Sequence, residues 1–100
     1  MSGVTANQYR LRARVSTADP TVVGPVLERA IAAGTVSPGD SPGEFRVEAT
    51  LQGASARELN RALLSELRRV EKKTRLRSEW TCNGVTERFF DYVPKGTRKA

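Results

Sequence analysis

Three stretches of this 100-residue chain alternate apolar and polar residues with a period of two, and arginine recurs at the polar positions. From Gln8 to Val15, Tyr9, Leu11, Ala13 and Val15 fall on one side, and Gln8, Arg10, Arg12 and Arg14 on the other. Successive side chains of a strand point to opposite faces, so this spacing predicts a half-buried strand with a basic outer face. Glu44 to Gln52 repeats the pattern: Phe45, Val47, Ala49 and Leu51 inward, with Glu44, Arg46, Glu48, Thr50 and Gln52 outward. Thr74 to Val93 reads as a hairpin around Asn83-Gly84, the dipeptide that best tolerates the two positive φ angles of a type I′ turn.

A two-residue turn dictates the hairpin pairing. Cys82 faces Val85, Trp80 faces Glu87, Glu79 faces Arg88, Arg77 faces Phe90 and Arg75 faces Tyr92. Leu76, Trp80, Cys82, Val85 and Phe89 would then pack on helices, while Arg75, Arg77, Glu79, Arg88, Phe90 and Tyr92 face outward. Seven of the thirteen arginines (Arg10, Arg12, Arg14, Arg46, Arg75, Arg77 and Arg88) thus share one predicted sheet surface. Glu87 and Asp91 fall on the inner side, where an unpaired carboxylate is costly. Either the last strand runs past the core edge, or a bulge near Phe89-Phe90 reverses its facing.

Helical periodicity fills the gaps. Asp19-Pro20 offers an N-cap followed by proline at the first helical position, and Val22, Val23, Val26, Leu27, Ala30 and Ile31 recur at helical spacing until Gly34. Pro25 conflicts with a helix begun at Pro20, because it has no N–H to donate; a start at Gly24-Pro25 is the alternative. Ser55 and Glu58 form a capping box, and Leu59, Ala62, Leu63, Leu67 and Val70 make the apolar stripe of a helix ending near Lys73. Thr35 to Gly43, dense in Ser, Pro, Gly and Asp, is expected to be an exposed loop. Residues 1–7 and 95–100 are expected to be flexible tails of a single domain spanning 1–100.

The expected order is therefore β-α-β-α-β-β. With right-handed crossovers it predicts a two-layer α/β sandwich: a four-stranded mixed sheet, two helices on one face, the other face open. A ferredoxin-like arrangement is the alternative, and requires a short strand around Thr35-Val36. In element order the chain resembles the C-terminal domain of bacterial translation initiation factor three and the Alba chromatin proteins. Both contact nucleic acid, and the resemblance implies the same kind of partner here.

Composition narrows the chemistry. With no histidine and a single cysteine, Cys82, the chain lacks a histidine base, a thiolate zinc site and an intrachain disulfide. No two of the eleven carboxylates have a spacing that argues for general acid and base roles, and no Gly-rich phosphate loop occurs. Neither an enzyme, a metal site nor a cofactor is expected. No stretch approaches the roughly 18–20 apolar residues of a membrane span, and Met1 to Asn7 has neither a charged n-region nor a long apolar run, so a cytoplasmic protein without membrane contact is expected.

A net charge of +6 favours anionic partners. The first reading of the arginine face is accordingly nucleic-acid binding, RNA or DNA: Arg10, Arg12, Arg14, Arg46, Arg75, Arg77 and Arg88 on phosphates, with Phe90 and Tyr92 as a stacking platform for bases. A second is a protein interface, including a homodimer in which Glu48 and Glu79 complement the arginines of a symmetry mate. A third is plain solvation, with Glu79 and Arg88 as a cross-strand ion pair and arginine lying over Phe90 or Tyr92.

Overall fold

In the computed structural model, which describes residues 7–31 and 34–94, the alternating segments become long strands of one antiparallel sheet. Along the chain run β1 (Asn7–Ser16), α1 (Pro20–Ala30), β2 (Gly34–Pro38), β3 (Glu44–Gly53), α2 (Ala56–Val70), β4 (Arg75–Cys82), β5 (Val85–Phe90) and a two-residue β6 (Val93–Pro94). The spatial order is β2-β3-β1-β4-β5-β6, and every neighbouring pair is antiparallel. The expected tails at 1–6 and 95–100 lie outside the described residues, whereas Asn7 already belongs to β1.

The expected four-stranded mixed sheet is overturned by β2, which gives a five-stranded antiparallel sheet (plus the two-residue β6). β2 begins at Gly34, where the first helix was expected to end, takes in residues 35–38 of the segment expected to be a loop, and pairs with β3 from Gly34↔Ala49 to Pro38↔Phe45. One extra strand adds one extra chain reversal. A single crossover from β1 to β3 would leave those strands parallel; passing through β2 first brings β3 back antiparallel beside β1, and β4 likewise. β2-β3-β1-β4 is the strand order that the ferredoxin-like alternative needs, and β5 extends it at one edge. The element order on which the resemblance to initiation factor three and Alba rested is therefore not that of this chain. Gly34 suits its place, because an added Cβ would collide with the Glu48 carbonyl and the Ala49 side chain across the pair.

Both helices cover one face of the sheet and touch each other. Beneath them lie Leu11, Val15, Val47, Leu76 and Trp80 with Val23, Leu27, Leu64 and Leu67, all but inaccessible to solvent. The Trp80 and Tyr9 rings meet in a T-shaped arrangement, 6.4 Å between centroids. α1 begins at Pro20 and continues through Pro25, so the alternative start at Gly24-Pro25 does not hold. α2 is capped by Ser55, whose Oγ accepts from the Glu58 amide at 3.1 Å. It ends at Val70, and its buried stripe is Ala56, Asn60, Leu63, Leu64 and Leu67, leaving Ala62 and Val70 exposed.

Asn60 explains that rotation. Its Oδ1 accepts from Ser78 Oγ at 2.5 Å and from Trp80 Nε1 at 3.3 Å, and its Nδ2 donates to the Asp91 carbonyl at 2.6 Å. A buried amide is tolerable when its partners are in place, and here they tie α2 to β4 and to the end of β5.

Asp91 terminates the hairpin. Its backbone is left-handed, with φ 60°. Its N–H donates to the Leu76 carbonyl at 2.6 Å, its Oδ1 accepts from the Leu76 amide at 2.9 Å, and its Oδ2 lies 3.3 Å from Arg68. The inward carboxylate is thus paired with both a backbone donor and a cation. Glu87 is exposed and β5 pairs regularly with β4 from Val85 to Phe90, so the strand overruns the core without a bulge. Val85, 62% exposed beside the turn, marks the same overrun.

Candidate anion-binding face

Register decides what each arginine meets. On the face opposite the helices, β1 lies between β3 and β4, and residues paired across the strands stand about 5 Å apart. One row reads Glu48, Arg12, Glu79, Arg88 across β3, β1, β4 and β5. Charges alternate along it, and Arg88 Nε meets Glu79 Oε2 at 3.0 Å. Two residues away, on the next row, stand Arg46, Arg14, Arg77 and Phe90. Three guanidinium-bearing side chains here are immediate neighbours on three adjacent strands. Like charges directly opposite one another destabilise a sheet, each pair by a few tenths to about 1 kcal/mol.

The remaining predicted residues fall around these rows. Arg10 is exposed between Thr50 and Thr81, and Arg75 is exposed opposite Ser16. Among the described residues no ion pair engages Arg10, Arg12 or Arg14. Arg77 and Arg75 both lie over Phe90, their guanidinium carbons 5.1 and 5.6 Å from the ring centroid. Phe90 therefore sits on the arginine face as expected, with cations against its π-system.

Tyr92 does not. Expected opposite Arg75, it is carried to the helical side by the left-handed turn at Asp91. There its hydroxyl is 3.0 Å from Ser65 Oγ of α2, and Arg68 lies over its ring at 5.8 Å. The two-aromatic platform is consequently split between opposite sides of the sheet.

Sequence reasoning missed Asp40, in the loop between β2 and β3. Both of its carboxylate oxygens accept from one terminal nitrogen of Arg46, at 3.1 and 3.2 Å. Glu44 Oε1 accepts from the Asp40 amide at 3.0 Å and holds the loop over that end of the row. Recognising β2 would have pointed to Asp40, since the hairpin brings its loop back beside the arginine six residues on.

A shallow depression of about 430 Å³ lies over the centre of this face, bordered by Arg12, Arg14, Arg46, Arg77 and Arg88 together with Glu48 and Glu79. That volume falls in the range of small-molecule sites, but a depression open along the sheet surface lacks the walls that bury most of a small ligand. It suits an extended ligand laid across strands. Among the described residues no group of three or more His, Cys, Asp or Glu side chains could hold a metal ion, and no helix is long and apolar enough to cross a membrane. No protein-family model matches the chain, and neither a curated protein nor a solved structure does.

Proposed function

We propose that this domain binds nucleic acid, through phosphate groups laid across the Arg46-Arg14-Arg77 row. The observation that carries the reading is the adjacency of those three arginines: the fold accepts repulsion between them, and a polyanion removes it. Arg10 and Arg75 continue the positive surface along and beside β1, while Arg12 stands between Glu48 and Glu79.

Self-association through the same face is the second reading, and the alternating Glu48-Arg12-Glu79-Arg88 row is the observation in its favour. The balance of charge weighs against it. Seven arginines share the face with Glu44, Glu48 and Glu79, with Asp40 at its rim, so stacking two copies would press like charge on like charge.

Titration of a fluorescent oligonucleotide at low salt separates the two. Nucleic-acid binding predicts saturable binding that weakens as salt rises, with a log–log slope of about −2 to −3 for three or four neutralised phosphates on a single strand. The combined Arg14→Glu, Arg46→Glu, Arg77→Glu variant should lose that binding while keeping its far-UV circular dichroism. A flat titration, with a dimer in sedimentation, would favour the second reading.

A further inference from the structure

We infer that the arginine face holds a strand by its sugar-phosphate backbone without stacking the bases on aromatic rings, so that removing the bases costs little affinity. This rests on the nucleic-acid reading above and names the part of the ligand that is held. Aromatic stacking of bases on an open sheet needs free ring faces. The face offers none at the arginine row. Phe90 carries the Arg75 and Arg77 guanidinium groups over its ring, and Tyr92 is bonded to α2 on the far side. Trp80 and Tyr9 are buried, and Phe45 packs inward beside Gly24 of α1.

Some polar side chains of the face are committed to one another or stand apart from the row. Thr81 and Thr86 bond each other at 2.8 Å across β4 and β5. The amide side chains on this face, Gln8 and Gln52, face each other at the far end of β1 and β3. Six residues of strand, about 20 Å, separate Gln8 from Arg14. What converges on the row is a set of guanidinium groups, whose forked donors suit paired hydrogen bonds to phosphate.

The test compares three fluorescein-labelled strands of equal length at low salt: a thymidine homopolymer, a mixed sequence, and an abasic strand of deoxyribose phosphate. All three should bind within about threefold of one another. A larger loss on the abasic strand overturns the inference while leaving nucleic-acid binding intact, since stacking on an aromatic platform is worth about 5-fold to 150-fold per base. Silence from all three sinks the nucleic-acid reading and this inference together. Phe90→Leu provides the second arm. An equal change on abasic and base-bearing strands means the ring only positions arginines, whereas a loss confined to base-bearing strands overturns the proposal.

Discussion

The two faces of this sheet handle polar groups in opposite ways. Under the helices, no buried side-chain nitrogen or oxygen among the described residues lacks a hydrogen-bond partner. Asn60, Ser78 and Trp80 satisfy one another there, and Asp91 closes the network. On the outer face, Arg14 stands between two other arginines, and the nearest carboxylate pairing in that row is at its end, where Asp40 holds Arg46. Folding cannot leave a polar group unpaired in the core, because nothing there replaces water. At the surface water screens an imbalance, so repulsion can be kept for a partner to relieve.

The contrast breaks most readily at its buried side. Asn60→Ala should cost about 2–4 kcal/mol, combining a small cavity with a lost donor to Asp91 and a lost acceptor for Ser78 and Trp80. Urea denaturation measures this from the shift in midpoint, and a loss below about 1 kcal/mol would show that the network does little for stability.

On the outer side, Arg14→Glu should weaken oligonucleotide binding tenfold or more, about 1.4 kcal/mol, with no loss of thermal stability. An unfolded variant would mean that Arg14 has a structural role its exposure does not suggest. Smaller, but sharper in sign, is a matched pair. Arg14→Thr should stabilise the domain by roughly 0.5 kcal/mol at low salt by relieving repulsion, and Arg12→Thr should destabilise it by a similar amount because Arg12 stands between Glu48 and Glu79. Effects of the same sign would abolish the distinction between the rows. The smallest change is expected for Asp40→Asn, less than about 0.5 kcal/mol in stability, since the Arg46 pair is exposed on both sides. Oligonucleotide affinity should rise slightly as Arg46 is released, and titration at two salt concentrations would detect it.

Legibility followed the strength of local signals. The facing of β1 and β3, and the β4–β5 register from Cys82↔Val85 to Arg77↔Phe90, were readable because alternation and a two-residue turn leave little freedom. β2 was not: Gly34–Pro38 is five residues long, includes glycine, serine and proline, and resembles the loop that follows it. It is a strand because the edge of β3 offers it partners. The stripe of α2 was misjudged for a related reason, since Asn60 counts as polar until Ser78, Trp80 and Asp91 are known to surround it. Tyr92 was misplaced because a left-handed aspartate one residue earlier leaves no mark in an alternation pattern.

By itself the sequence determined that arginines of β1, β3, β4 and β5 would share a solvent-facing surface, since side-chain alternation is a property of each strand taken alone. Which arginines became neighbours was decided only in three dimensions. The hidden strand made β3 and β4 antiparallel to β1, and that register set Arg14 between Arg46 and Arg77 and Arg12 between two glutamates. Pairing across strands depends on the chain's path between them, and local periodicity carries no record of that path.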